Sequence, residues 1–139
     1  MKLYLYYIGK ARDAHANGMA REYIKRSTRF ARCEMREIDP RRFDPRAKHP
    51  SASLILLDPN GRALDSAGFT ALVEKAERTS RDMVFVIGGA AGLPDDWKPR
   101  ADLLLGLSPL TMPHELARVV LAEQIYRALT ALRGHPYPR

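Results

Sequence analysis

Met83-Val-Phe-Val-Ile87 runs directly into Gly88-Gly-Ala-Ala-Gly-Leu93, and Leu103-Leu-Leu-Gly-Leu107 runs directly into Ser108-Pro-Leu-Thr-Met-Pro113. A short, continuous apolar run that stops at turn residues fits a strand covered on both faces, as in a parallel sheet. Ala52–Leu57 (ASLILL) is a third such run, and Asp58-Pro-Asn-Gly61 after it reads as a turn. Towards the N-terminus, residues 2–8 alternate and are rich in aromatics, which predicts a first strand ended by Gly9. Cys33–Ile38 is a second strand. Helices are predicted at about 14–29, at Ser66–Arg78 with apolar spacing at Phe69, Leu72, Val73 and Ala76, and at about His114–Arg133. Ser66 is a possible N-cap and Gly134 a C′ residue. Asp39–Pro50 (DPRRFDPRAKHP) carries three prolines and five basic residues and is expected to be a loop. Strands that alternate with helices predict an α/β fold, a mainly parallel sheet flanked by helices.

The last helix has apolar residues nearly all round its axis: Leu116, Val119, Val120, Leu121, Ile125, Tyr126, Leu129 and Leu132. A surface helix keeps its apolar residues on one stripe. In so small a chain a second copy is the simplest extra cover, which predicts a homodimer. Glu123 and Arg127 stand i, i+4 in the favourable order, and an ordinary ion pair on the helix surface is their plain explanation.

With 139 residues the chain fits one domain, residues 1–139. Cys33 is its only cysteine and cannot close an intrachain bridge, and the N-terminal apolar run is too short for a signal or a membrane span. A cytoplasmic protein with no membrane association is the expectation. Residues 1–50 hold 13 Lys/Arg against 6 Asp/Glu, whereas residues 51–139 hold 10 of each, so the whole excess of +7 lies in the first fifty. Such asymmetry suggests a polyanionic partner, nucleic acid first, with a merely solvated basic face as the alternative.

Ligands of parallel α/β sheets bind outside the carboxyl ends of the strands, which directs attention to the loops after the apolar runs. The glycine loop lacks the G-x-G-x-x-G order of a dinucleotide site and by itself is better read as a structural turn. Ser108–Pro113 is less ordinary: two prolines stiffen it and leave its other amides and carbonyls able to read an adenine edge, unless it is only a rigid link into the last helix. The terminal His135-Pro-Tyr-Pro-Arg139 offers an imidazole, a phenol and a guanidinium, each able to grip phosphate, stack on a base or move a proton. A disordered basic tail is the alternative.

Ile87-Gly-Gly-Ala-Ala-Gly-Leu93, Leu107-Ser-Pro-Leu-Thr-Met-Pro-His114, Ala117-Arg-Val-Val-Leu-Ala-Glu-Gln-Ile-Tyr-Arg-Ala128 and His135-Pro-Tyr137, in that order, closely resemble the RlmH type of SPOUT methyltransferases. The opening Met-Lys-Leu and Leu57-Asp58 with Gly61 match as well. This resemblance implies an α/β knot, its C-terminal segment threaded as a trefoil, working as a homodimer. It implies S-adenosylmethionine as methyl donor, no metal, and N3 of a pseudouridine in 23S ribosomal RNA of the ribosome as target. By matching position, Leu57, Gly88 and Gly89 line the donor site, and Ser108, Pro109, Leu110, Thr111, Met112 and Pro113 wrap the donor. His135 and Tyr137 become candidates for touching the base or relaying its proton, and Arg139 and His114 for phosphate or base contact. The chain departs from the family pattern at Ala91, where an acidic residue is common, at Pro138, where a second histidine is usual, and in the shortness of Asp39–Pro50. A non-catalytic ribosome-binding module that kept the fold, and a nucleotide-binding α/β protein unrelated to RNA, are the rival readings.

Overall fold

In the computed structural model, which describes residues 1–138, the period-2 pattern of the first strand divides the core. β1 (Lys2–Ile8) sends Leu3, Leu5 and Tyr7 into one apolar cluster and Tyr4, Tyr6 and Ile8 into another on the opposite face. β2 (Arg32–Ile38), β3 (Ser53–Ala63), β4 (Met83–Ile87) and β5 (Leu103–Gly106) complete a five-stranded sheet in the order β2-β1-β4-β3-β5, and every pairing is parallel. All five residues of the central strand β4 are buried, as its unbroken apolar run requires.

Three helices cover one face: α1 (Ala14–Ser27), α3 (Ser66–Arg78) and α4 (His114–Leu132). The other face is covered by residues 39–52 and by a 3₁₀ turn, Asp95–Arg100, that buries Trp97. Within the predicted loop Asp39–Pro50 the chain forms a one-turn helix, α2 (Pro45–Lys48). The cause is local: the Asp44 carboxylate accepts from the amides of Arg46 and Ala47, and Pro45 is preset for a first helical position.

Two further expectations need correction. The stretch Asp58–Gly61 does not end its strand: Leu57 and Arg62 both pair with Leu105, so residues 58–61 bulge out of β3, which then resumes. Gly61 is needed there, because a side-chain carbon would come within 2.7 Å of the Leu104 backbone. The cap of α3 is Asp65, whose carboxylate accepts from the Gly68 amide at 2.7 Å; Ser66 is inside the helix and donates to Gln124 on α4 at 2.9 Å. Gly134 does follow α4 with a positive φ of 67°.

The all-round apolarity of α4 is satisfied largely within one chain. The sheet lies beneath it and α1 and α3 flank it, so Val119, Leu121, Ala122, Ile125, Tyr126, Ala128 and Leu129 are buried. What stays open on this layer is Leu116, 47% exposed, and Met19 of α1, 53% exposed. No helix among the described residues is long and apolar enough to cross a membrane.

Candidate functional site

The carboxyl ends of β3, β4 and β5 open into a cavity of about 460 Å³. Its first wall is the loop after β4. Gly88, Gly89, Ala90 and Gly92 line it, and the loop is pinched by a Gly92 amide that donates to the Gly89 carbonyl at 3.0 Å. Glycine is required for packing as well as for turning. A side-chain carbon at 88 would lie 2.7 Å from the Gly92 backbone, one at 89 would lie 2.9 Å from the Ile8 carbonyl oxygen, and Gly92 has φ +77°.

The second wall is the segment after β5, of which Leu107, Ser108, Leu110, Thr111, Met112 and Pro113 line the cavity. Its one internal hydrogen bond among the described residues runs from the Leu110 amide to the Ser108 hydroxyl, 2.9 Å. The Thr111 and Met112 amides and the carbonyls from Ser108 to Met112 are therefore free to meet a ligand. Apolar walls come from Leu57, Ile87, Leu105 and Ala117, and charge from a single pair: Lys98 of the 3₁₀ turn stands 3.2 Å from Asp58 in the β3 bulge. The Asn60 amide and then Lys98 hold the Asp58 carboxyl below the ordinary carboxylate range, against an opposing push from burial.

Behind the glycine loop lies Arg118, fully buried in α4. It donates to Asn17 Oδ1 at 3.1 Å and to the Ile8 and Gly9 carbonyls at 3.3 Å, and its guanidinium sits 4.1 Å from the Tyr7 ring centroid. Glu115 accepts from the Arg12 and Asp13 amides and from the Asn17 side chain, so the start of α1, the end of β1 and the start of α4 form one polar joint under the cavity.

Of the residues singled out in the sequence, Leu57, Gly88, Gly89, Ser108, Leu110, Thr111, Met112, Pro113 and His114 meet at this cavity. Pro109 is in the same loop but does not line it. His135 and Tyr137 are elsewhere: the tail folds back along α4, with the His135 ring edge-on to Phe30 and the Tyr137 ring edge-on to Tyr126 at 4.5 Å. The Tyr137 hydroxyl donates to Glu123 Oε2 at 2.7 Å, and Arg127, paired to the same carboxylate at 2.8 Å, lies 5.5 Å from the phenol ring. Burial first, then the hydrogen bond to that carboxylate, raises the phenol pKa above its ordinary value. The Glu123–Arg127 pair thus fastens the tail as well as joining two turns of helix. Arg139 lies outside the described residues. Sequence reading placed Asp58 in one of the strand-end loops where a ligand is expected but gave it no role, and it missed Lys98, which nothing in the local sequence marks.

A family model described as "Predicted SPOUT methyltransferase" matches residues 1–138. The protein named "Ribosomal RNA large subunit methyltransferase H" of Solibacter usitatus is 56% identical over 139 residues, 100% of each chain. The protein of that name from Sorangium cellulosum is 42% identical over 99% of each. Among solved structures, a "probable methylase family protein" from Haemophilus influenzae shares the fold at TM-score 0.63 and 11% identity, covering 99% of this chain and 70% of that one. A "Probable Methyltransferase" from Bordetella pertussis does so at TM-score 0.59 and 13% identity, covering 91% and 95%.

Proposed function

Because the chain belongs to the SPOUT methyltransferase family, we propose that it methylates N3 of a pseudouridine in 23S ribosomal RNA, on the assembled ribosome, with S-adenosylmethionine as donor. One observation carries this reading: the cavity at the strand ends is walled by the two segments, 88–92 and 107–113, whose order in the sequence marks the family. The chain acts as a single domain with its C-terminal segment threaded as the family's knot.

The lining suits the donor. A volume of about 460 Å³ is within the range of small-molecule sites. Leu57, Ile87, Leu105 and Leu107 offer apolar surface to an adenine ring, and the free amides and carbonyls of Ser108–Met112 match its edge. Asp58 and Lys98 supply opposite charges for a ligand that carries a diol, an amine and a carboxylate. The bound donor supplies an electrophilic methyl group on a good leaving group.

The protein must then hold N3 about 3–3.5 Å from that methyl group in line and remove one proton. His135 Nδ1 accepts from the Tyr137 amide at 3.1 Å, so the neutral ring carries its proton on Nε2 and presents a donor to the base. The proton route runs instead through Tyr137: its phenol oxygen accepts the N3 proton as its own proton passes to the Glu123 carboxylate. His114, at the mouth of the cavity, and Arg139 serve phosphate or base contact. Since the tail of a protomer lies away from its own cavity, this chemistry favours a homodimer in which the tail serves the partner's site; exposed Leu116 and Met19 support that arrangement.

The test is transfer from labelled donor to ribosomes of a strain that lacks the modification, with mass-spectrometric mapping of the product. One methyl group on one pseudouridine is expected. Donor binding without transfer would instead identify a non-catalytic module, and a methyl group on another nucleotide would refute the assigned target.

A further inference from the structure

The chemistry above uses the carboxyl ends of the strands, and leaves unused a surface on the sheet face away from α1, α3 and α4. β1 and β2 run in register, so Lys2, Tyr4 and Tyr6 stand beside Arg32, Glu34 and Arg36 on that face. Among the described residues no helix longer than one turn covers this edge; the segment after β2 folds over it and delivers Phe43 and His49.

The result is a connected set of rings. Tyr4 and His49 lie 4.4 Å apart, Tyr6 meets Phe43 edge-on at 5.0 Å, and the Tyr6 hydroxyl shares a 2.7 Å hydrogen bond with His49 Nε2. The Arg36 guanidinium stands 4.9 Å from the Phe43 centroid and 5.4 Å from that of Tyr6. Among the described residues, the exposed side chains of Lys2, Arg32 and Arg36 have no carboxylate at ion-pair distance, whereas Arg46, Arg100 and Arg133 each spend theirs on one. Glu34 is the one carboxylate between Arg32 and Arg36, and Asp82 at the rim takes the Lys2 amide. Here the rings hold Arg36 in place with its N–H donors unspent.

We infer that this face binds a single-stranded segment of the substrate RNA, bases stacking on Tyr4, Phe43 and Arg36 while Lys2 and Arg32 hold phosphates. Partly exposed aromatic rings at a sheet edge with flanking cations suit unpaired nucleotides, whose bases are free to stack; a duplex would offer them only phosphates. The inference rests on the RNA-methyltransferase reading and deepens it. Being remote from the cavity, the platform anchors RNA and takes no part in methyl transfer.

Ribosome Kd by filter retention, KM and kcat are to be compared for wild type, Arg32→Gln/Arg36→Gln, Phe43→Leu and, as a control that removes one positive charge elsewhere, Lys75→Gln on α3. The double variant should raise Kd and KM for ribosomes about tenfold, with kcat and donor affinity unchanged. Its dependence on log salt should become shallower by about 0.7 per lost phosphate contact. Phe43→Leu should weaken binding without altering that slope, and Lys75→Gln should behave as wild type. Unchanged ribosome binding in the double variant, an equal loss in Lys75→Gln, or ultraviolet cross-links from residues 32–49 to a ribosomal protein and not to RNA would each overturn the inference. If wild type binds ribosomes through this face but transfers no methyl group, the proposed reaction fails and the platform stands.

Discussion

At residue 137 a phenol and a carboxylate 14 positions apart share a 2.7 Å hydrogen bond, and the chemistry assigned to the tail depends on it. Tyr137→Phe keeps the ring packed on Tyr126 and removes only the oxygen. We expect kcat to fall by roughly 10²–10⁴, the range for a lost acid–base group, with donor Kd unchanged by calorimetry; a variant with wild-type kcat would show that the phenol carries no proton. Single residues were unequally legible. Gly88 and Gly89 could be read as members of a loop, but that a methyl group at 89 would press on the Ile8 carbonyl is a fact about a residue 81 positions away. Glu123 and Arg127 looked like a surface pair because i, i+4 spacing says nothing about what folds over it. Arg118 was seen only as one letter of a motif, though it is buried and grips the end of β1.

At the scale of elements, turn chemistry was read correctly and its consequence incorrectly. Asp58-Pro-Asn-Gly does turn, with the Asn60 amide bonded to Asp58 Oδ1 at 2.9 Å, yet pairing with β5 resumes beyond it and absorbs the turn as a bulge. Pro59, which has no N–H to give a ladder, fits where the ladder is interrupted. The one-turn helix α2 is held to the sheet through Asp102, which accepts from the Leu54 amide at 2.8 Å and from Arg46 at 2.7 Å. Burial pushes its carboxyl pKa up, but the Leu54 amide and Arg46 outweigh that and leave it below the ordinary value. A group with a depressed folded pKa contributes stability above its unfolded pKa and loses it as pH falls through the folded one. Asp102→Asn should therefore lower stability by about 1 kcal/mol at neutral pH, allowing for partial exposure, and the difference from wild type should shrink below about pH 4. Urea unfolding across that range measures it; a difference that grows towards acid would contradict the assignment.

For the whole molecule, the outstanding matter is what covers Leu116 and Met19 on the α1/α4 layer and how the tail reaches a cavity it does not touch within one chain. The proposed homodimer would answer both. Leu116→Arg should sediment as a monomer, keep donor binding and lose methyl transfer; a fully active monomer would refute the shared site. The five strand positions, the three long helices, the parallel sheet and the loops that wall the cavity were determined by the sequence alone, because apolar runs, glycines and prolines act on their immediate neighbours. Tertiary structure alone decided that α4 is buried mostly by its own chain, that Asp58 and Lys98 meet at the cavity mouth, that the tail is clamped on Glu123 far from it, and that rings from β1 and residues 43–49 gather under Arg36. Each of these is an encounter between side chains distant in sequence, and local periodicity carries no record of which ones the fold brings together.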